Sequence, residues 1–504
     1  MRWGSGLALL VGVALGALFC AVWLAQRSAA LADFEPEPPR DIAPGVHLVE
    51  GDCWFNGGWL RRERCAWFYP SVRGSAEVHA LPVVALQRRL FGRSSERATV
   101  FLTGGPGGNN YLYQEGIEYW REWIARLDLD HDLVLYDPRG SGASWPRLAC
   151  PELEPLARSL LHAPLDRELR WAVYEPVLLA CIEQVPEADR VAGLYSTRNA
   201  GRDLRELVQA LRREFGYREI SVYGVSYGTR LALEALADAP DLVDAVVLDS
   251  PYPPGVDLVL GFADTFAAIL ARLQEKGVAL REPLDRALQA VAAAPPVVEV
   301  EDPWSEAPQR VRVDAEMLMA LVEHALFANQ DLVELAGLLE AAADGTIDDA
   351  WHPLLADWLW SSMDPDFGVL AFLLIECRDN PAMRREDEEA VLDRHPAWRE
   401  ALQSPERMFS FCERAGVTPA PLVPRSLAQP TLVLAADLDP RTPADVALES
   451  LKTLPRATVM RLPIAGHGVA DIDDCAARAV GAFLNSGGQA SLPDCAEGAL
   501  VSPN

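Results

Sequence analysis

Positive charge is scarce in this sequence. Its 504 residues include 45 Lys and Arg against 73 Asp and Glu, which gives a formal net charge of −28. So acidic a chain repels a phosphate backbone, which argues against nucleic acid as a partner. Its 35 Gly and 38 Pro lack regular spacing, so a fibrous repeat is excluded. Because half of the residues are hydrophobic, the chain can bury a large core, and we expect an acidic globular protein.

Cysteine spacings typical of zinc sites are lacking too. None of the nine cysteines belongs to a C-x-x-C pair with a histidine nearby, so we expect no zinc site. All except Cys20 fall into pairs that are close in sequence, and an even number behind an export signal favours disulfides over free buried thiols. The neighbour pairs are Cys53 with Cys65, Cys150 with Cys181, Cys377 with Cys412, and Cys475 with Cys495.

An uncharged apolar segment occupies residues 3–25, between Arg2 and Arg27. Its length fits either a secretory signal peptide or a retained membrane anchor. The Ala-Leu-Ala sequence before Asp33 offers a signal cleavage site and favours removal of residues 1–32, while the anchor stays open. Residues 33–45 are rich in proline and acids and are interpreted as a linker. Both alternatives predict export to the periplasm or the extracellular space.

Short apolar runs that end in Gly, Asp or Ser recur in two parts of the chain. Such runs are typical of strands buried on both faces, as in a parallel sheet. They cover residues 98–102, 133–136, 220–223, 246–248, 431–435 and 459–462. Helical patterns lie between them, for example over 199–215 and 227–237. This alternation predicts an α/β fold with a mostly parallel, doubly wound sheet.

The strand signals stop between residues 255 and 425. This stretch is rich in Ala, Leu and Trp at helical spacing, as over 315–327 and 333–343. We therefore predict an inserted, mostly helical cap. The predicted division is 46–254 for the first part of the core, 255–425 for the cap, 426–496 for the second part of the core and 497–504 for a tail.

A serine stands where a predicted strand meets a predicted helix, in Gly224-Val225-Ser226-Tyr227-Gly228. On such a turn the hydroxyl stands clear of the sheet, and side chains at the glycine positions would collide with the turn. The pattern alone also occurs by chance, and a serine that caps an ordinary helix is the alternative. The strand, turn and helix context favours Ser226 as a nucleophile.

A serine hydroxyl needs a base, and the base needs an acid that orients it. Where a serine stands on such a turn, the acid and then the base follow it along the chain. His467 follows the last predicted strand, whereas the other three histidines after Ser226 lie in the predicted cap. The acid is expected after the strand that precedes His467, where Asp439 is favoured over Asp437 because prolines fix its loop.

Residues 103–108 (Thr-Gly-Gly-Pro-Gly-Gly) follow the first predicted strand of the parallel set. Attack on a carbonyl creates an oxyanion, which backbone N–H groups stabilise only where no side chain crowds them. The N–H groups of Gly105 and Tyr227 are the predicted donors. A phosphate-binding loop is the competing interpretation, but the Lys-Ser/Thr that it requires does not follow. A plain tight turn stays open.

These motifs together resemble the prolyl iminopeptidase and tripeptidyl aminopeptidase group of α/β-hydrolases. The resemblance spans residues 97–250 and 430–470. It is carried by the Gly-Gly-Pro-Gly-Gly loop, Asp-Pro-Arg-Gly-Ser-Gly at 137–142, Gly-Val-Ser-Tyr-Gly, Asp-Pro-Arg-Thr-Pro at 439–443 and Gly-His-Gly at 466–468. Thr103 departs from the pattern, because prolyl iminopeptidases usually carry His there. This departure, the long chain, the export signal and Cys377 favour the secreted tripeptidyl-aminopeptidase-like branch.

The resemblance implies a serine exopeptidase that releases one or a few residues from the free N-terminus of peptides, with no metal or organic cofactor. Members of the group hold the substrate's α-ammonium with acidic cap residues. Glu376 and Asp379 are the candidates here, with a solvated acidic helix face as the alternative. An esterase or lipase on the same fold is an alternative function, and a non-catalytic exported binding protein is an alternative of another class.

Overall fold

The computed structural model describes residues 37–39, 47–56, 63–71, 78–87, 95–186, 193–255, 258–380, 385–402, 405–450, 454–493 and 495. The predicted signal or anchor segment, most of the predicted linker and the predicted tail lie outside these residues. Across the described ranges, no helix combines the length and apolar character needed to cross a membrane.

A nine-stranded sheet forms the centre of the fold, and two further strands form a separate antiparallel pair, β8 and β9. The strands of the described residues are β1 (His47–Gly51), β2 (Arg64–Tyr69), β3 (Leu81–Leu86), β4 (Arg97–Leu102), β5 (Asp132–Tyr136), β6 (Glu219–Val225), β7 (Val246–Asp249), β8 (Val297–Glu301), β9 (Pro308–Arg312), β10 (Thr431–Ala436) and β11 (Ala457–Leu462). The order in the large sheet is β1-β2-β3-β5-β4-β6-β7-β10-β11. The strands from β5 to β11 in this order are parallel, and β1, β2 and β3 continue the sheet in antiparallel fashion.

The predicted α/β class and mostly parallel sheet are confirmed. Each of the six predicted strands is present and is one to three residues longer than its apolar run. Strands β1 to β3 were not predicted. Strand β1 is only partly buried, and β2 begins with the charged Arg64, so neither strand forms a continuous apolar run. Pro82 argues against a strand in the run that forms β3.

Helices cover both faces of the sheet and build most of the segment between β7 and β10. They are α1 (Gln114–Arg126), α2 (Leu153–Leu160), α3 (Arg167–Glu183), α4 (Thr197–Ala210), α5 (Tyr227–Leu236), α6 (Leu258–Glu275), α7 (Arg281–Ala293), α8 (Ala315–Phe327), α9 (Leu332–Ala343), α10 (His352–Ser362), α11 (Val369–Asp379), α12 (Arg385–Leu392), α13 (Pro405–Arg414), α14 (Ala444–Ser450), α15 (Val469–Ile472) and α16 (Asp474–Asn485). A short π-helical stretch, Leu211–Phe215, extends α4, and 3-10 turns lie at Asp349–Trp351 and Pro396–Trp398.

Successive residues of the central strands enter different cores, because strand side chains alternate between the two faces. Val222 and Leu248 pack with α4 and α5 on one face. Tyr223 and Val247 pack with α1 and α16 on the other. This arrangement explains why the central strands read as continuous apolar runs.

The segment between β7 and β10 is mostly helical. Helices α6 to α10 build a core of their own together with the β8–β9 hairpin, which the sequence analysis did not foresee. Helices α11 and α13 pack against α2 and α3 from the first part of the chain. The cap thus has a hydrophobic core separate from the two faces of the sheet.

The structure contains the four disulfides of the neighbour pairing. Sulfur–sulfur distances are 2.06 Å for Cys53–Cys65, 1.98 Å for Cys150–Cys181, 1.92 Å for Cys377–Cys412 and 2.01 Å for Cys475–Cys495. The third pair joins α11 to α13. Disulfides of this kind are typical of proteins that fold in an oxidising compartment.

Substitution by alanine should have opposite effects on stability at two glycines that lie in helices. A Cβ at Gly481 in α16 would lie 1.7 Å from the carbonyl oxygen of Leu127, whereas a Cβ at Gly337 in α9 would meet nothing within 4 Å. We expect Gly481→Ala to lower the free energy of unfolding by about 1–3 kcal/mol through overpacking. Gly337→Ala should raise it by about 0.5–1 kcal/mol, because alanine favours a helix. Thermal unfolding of both variants beside the wild type measures the difference, and equal midpoints would contradict the packing described for α16.

Candidate active site

Ser226 stands on a sharp turn between β6 and α5. Its backbone angles are φ 55° and ψ −121°, and residues other than glycine rarely adopt such a positive φ. A Cβ at Gly228 would lie 2.1 Å from the carbonyl oxygen of Leu102, and one at Gly224 would lie 2.5 Å from the carbonyl oxygen of Gly228. The turn therefore needs both glycines, and it leaves Ser226 partly exposed at the carboxyl edge of the sheet.

The glycine-rich loop after β4 lies beside this serine. A Cβ at Gly104 would come within 3.8 Å of the Ser226 Oγ, and Gly105 has a φ of 107°. A Cβ at Gly107 would lie 2.5 Å from the carbonyl oxygen of Gly368 in the cap. Tyr227 is the first residue of α5, so its amide lacks a partner within the helix. The glycine-rich loop therefore lies next to Ser226 at Gly104, and Tyr227 follows the serine directly.

His467 is hydrogen-bonded to the carboxylate of Asp439. The Nδ1 of His467 lies 2.7 Å from Oδ2 of Asp439, which is fully buried. Burial acts to raise the pKa of Asp439, but the charge and hydrogen bond of His467 and the bonds from Thr442 outweigh it and leave this pKa below its usual value. Asp437, the alternative acid, instead pairs with Arg461 at 2.7 Å.

Phe327 and Thr442 hold the histidine through contacts that were not predicted from the sequence. The ring of Phe327, the last residue of α8, stacks on the His467 ring with 4.5 Å between centroids, and its carbonyl oxygen accepts a hydrogen bond from the His467 amide. The Thr442 hydroxyl donates to Oδ2 of Asp439 at 2.6 Å and lies 3.2 Å from Nδ1 of His467. Thr442 belongs to the Asp-Pro-Arg-Thr-Pro motif, whereas no sequence signal connects Phe327 with the site.

A cavity of about 190 Å³ lies beside these loops. Its lining includes Gly105 from the glycine-rich loop, Thr442 from the loop of the acid, and Glu376 from α11 of the cap. Glu376 is 3% exposed, and its Oε2 accepts hydrogen bonds from Tyr252 and Asn380. Its Oε1 has no hydrogen-bond partner among the described residues. Burial is the main reason that the pKa of Glu376 is raised.

Asp379 lies one turn further along α11, outside the lining of this cavity. Its Oδ2 accepts a hydrogen bond from the Thr197 hydroxyl, which lies 2.8 Å from the phenolic oxygen of Tyr227. Burial raises the pKa of Asp379 to about 6. The structure thus brings Glu376 to the cavity and connects Asp379, through Thr197, to Tyr227, the first residue of α5. Neither side chain belongs to a solvated helix face, because both are buried.

The Asp-Pro-Arg-Gly-Ser-Gly segment supports the glycine-rich loop from behind. Asp137 accepts hydrogen bonds from the amides of Asn110 and Ala143, both within 2.9 Å. Arg139 forms two hydrogen bonds with the buried Asp203, at 2.6 and 2.9 Å. These contacts give Asp137 and Arg139 a structural role.

Two groups of described side chains bring together three potential metal ligands each. They are Cys150 with Glu152 and Cys181, and Asp473 with Cys475 and Cys495. In both groups the cysteines are joined as a disulfide, so neither offers a thiolate to a metal.

Family models match both parts of the chain. The model described as alpha/beta hydrolase fold covers residues 99–294, and the one described as TAP-like protein covers residues 400–494. The chain has the α/β-hydrolase fold. The matched ranges contain the serine turn and the Asp439 and His467 loops, so the resemblance inferred from the motifs is confirmed.

Curated relatives of this chain include peptidases. The tripeptidyl aminopeptidase of Streptomyces lividans is 28% identical over 179 residues, which are 33% of this chain and 31% of that protein. The serine protease Hip1 of Mycobacterium tuberculosis is 25% identical over 182 residues, 32% of each chain. The matches thus span about a third of the length of these relatives. A solved structure of a proline iminopeptidase-related protein from Thermus thermophilus is 17% identical, covers 85% of this chain and 96% of its own, and has a TM-score of 0.33.

Neutralising the two aspartates of the β10 loop should separate their roles. We expect Asp439→Asn to slow modification of Ser226 by a fluorophosphonate by about 10³- to 10⁴-fold, because the imidazole loses its orienting carboxylate. Asp437→Asn is the matched control, since it removes a carboxylate two residues away that pairs with Arg461 instead. The labelling rate, followed by mass spectrometry, checks this. Similar rates for the two variants would contradict the assignment of Asp439.

Proposed function

We propose that this α/β-hydrolase is a serine peptidase that releases one or a few residues from the free N-terminus of peptides. In this mechanism His467 takes the proton of Ser226 as Oγ attacks the scissile carbonyl, while Asp439 orients the imidazole. The amides of Gly105 and Tyr227 stabilise the oxyanion. His467 then protonates the leaving amine, and water hydrolyses the acyl-enzyme with His467 as the base. No step requires a metal or an organic cofactor.

The observation that carries the exopeptidase proposal is the buried carboxylate of Glu376. One of its oxygens lacks a partner among the described residues, and the side chain lines the cavity shared with Gly105 and Thr442. A buried acceptor without a partner is costly, and an ammonium group is the partner that a carboxylate favours most. The α-ammonium of a peptide bound there lies within the same cavity as the candidate oxyanion loop, which favours cleavage near the N-terminus.

Asp379 has a different place in the proposal. One oxygen of each acid lacks a partner among the described residues, but only Glu376 lines the cavity. We therefore assign substrate contact to Glu376 and an indirect role, through Thr197, to Asp379. Arg230 acts on both acids. It is buried, its guanidinium stacks over Tyr252 at 3.5 Å, and its charge partly offsets the burial that raises the pKa of each carboxyl. This guanidinium helps to keep Glu376 ionised, as amine binding requires.

The four disulfides also support export, because they persist in oxidising compartments. We therefore propose that the enzyme acts on peptides in the periplasm or the extracellular space. N-terminal sequencing of the mature protein, purified from membranes and from the soluble fraction, distinguishes cleavage of residues 1–32 from retention of an anchor.

Blocking the substrate amine tests amine recognition. We expect the wild type to prefer a free-N-terminus peptide to its N-acetylated form, and Glu376→Gln to lower kcat/KM for the free peptide by about 10- to 100-fold, which corresponds to the loss of a charged hydrogen bond. The matched control is Glu175→Gln, another buried cap-side glutamate, which pairs with Arg414 at 2.5 Å and does not line the cavity. A wild type that cleaves both peptides equally, or cleaves only esters, would support an esterase instead.

The pH dependence of this preference follows from the raised pKa of Glu376. The group binds an ammonium only when it is ionised, so the ratio of kcat/KM for free and acetylated peptides should fall as the pH drops through its pKa. That midpoint should lie above about 4.3, the usual value of a glutamate. The acetylated peptide corrects for the pH dependence of the hydrolytic step itself, which affects both substrates. The ratio should be independent of pH in Glu376→Gln, and a ratio that still titrates in this variant would assign the dependence to another group.

A further inference from the structure

Asp249 is a buried carboxylate that the mechanism above does not use. It ends β7 and is paired in register with Val225 of β6, directly before the serine, and with Leu434 of β10. Its side chain is fully buried at the carboxyl edge of the sheet. From this position it contacts both the turn of Ser226 and the loop of His467.

The turn of Ser226 contacts the backbone of Asp249 and of Tyr252, which follows β7. The amide of Ser226 donates a hydrogen bond of 2.9 Å to the carbonyl oxygen of Asp249. Three residues later, the amide of Tyr252 donates to Oγ1 of Thr229, and the Thr229 hydroxyl donates to the carbonyl oxygen of Ser226. The strained turn is therefore bound to the end of β7 on both sides of the nucleophile.

On the histidine side, the contacts use side chains. Oδ1 of Asp249 accepts a hydrogen bond of 2.8 Å from the amide of Val469, and Oδ2 accepts one of 3.0 Å from the amide of Ala470. The hydroxyl oxygen of Ser250 accepts a bond of 2.9 Å from the amide of Gly468. Three consecutive amides after His467 are thus bound by two consecutive side chains at the end of β7.

The remaining contacts favour an ionised carboxylate. The Tyr223 hydroxyl donates to Oδ2 at 2.8 Å, and the Ser250 hydroxyl donates to Oδ1 at 3.2 Å. Each oxygen of Asp249 therefore accepts from two donors and has no proton to give. Burial, with a smaller contribution from the charge of Asp471, raises the pKa of Asp249 to about 6, so the group is ionised at neutral pH.

We propose that Asp249 is a positioning residue that fixes the loop of His467 relative to the turn of Ser226. This inference rests on the proposed function, because it assigns Asp249 a part in the same proton transfer. An asparagine at this position would keep one acceptor oxygen and turn an NH₂ group toward an amide donor. The amides after His467 would then lose an acceptor and move, and a displacement of about 1 Å at a catalytic group costs about 100-fold in rate.

The test compares Asp249→Asn with Asp132→Asn. Asp132 is also buried, starts a central strand and accepts a 2.8 Å bond from the hydroxyl of Tyr217, but it lies at the opposite edge of the sheet. Both variants lose the charge of a buried, tyrosine-bound carboxylate. We expect Asp249→Asn to slow fluorophosphonate labelling of Ser226 by about 100-fold, and to shift or broaden the downfield proton resonance of His467 Nδ1–H. Asp132→Asn should leave both unchanged, even where it lowers the melting temperature.

Ser250→Ala provides a second, milder variant. It removes the acceptor for the Gly468 amide and one donor to Oδ1 of Asp249 but keeps the Asp249 carboxylate, so we expect labelling to slow by about 10-fold with the fold intact. If both β7 variants label at the wild-type rate, the inference is overturned. A wild type that reacts with the fluorophosphonate but cleaves no peptide would overturn the proposed function and leave this inference standing. A wild type that does not react would overturn both.

Discussion

The hydrogen bond between Asp439 and His467 is the interaction on which the site depends. Its two residues are held by loops that follow β10 and β11, and Ser226 follows β6. Parallel strands bring their carboxyl ends to one edge, so residues more than two hundred positions apart along the chain are held at the same edge of the sheet. The proton transfer proposed above depends on this frame.

Cap and core both contribute to this site. Phe327 at the end of α8 stacks on His467, and the carbonyl oxygen of Gly368 lies so close to Gly107 that only glycine fits there. Glu376 reaches the cavity from α11. The cap is therefore part of the environment of the histidine and of the glycine-rich loop, as well as a cover over them.

The central strands and the local motifs were predictable from the sequence, because their determinants are local. A strand buried on both faces is a continuous apolar run, and the turn at Ser226 needs glycines at fixed positions. The choice of Asp439 over Asp437 was predictable from the prolines of its loop. Phe327, Asp249 and the strands β1 to β3 were not, since their roles come from contacts with residues far away in the chain. The different surroundings of Glu376 and Asp379 also depend on packing, which helical spacing alone does not reveal.

The Cys377–Cys412 bond has a consequence for selectivity. Cys377 directly follows Glu376, and the bond ties the helix that carries both residues to α13. In the function proposed above, the sheet holds the hydrolytic groups, whereas Glu376 lies on a helix that is held by a covalent link that thiols can cleave. Under that proposal, protein made in a reducing cytoplasm would keep its reactive serine while α11 loosens, and such material would be less discriminating than protein with the disulfide intact.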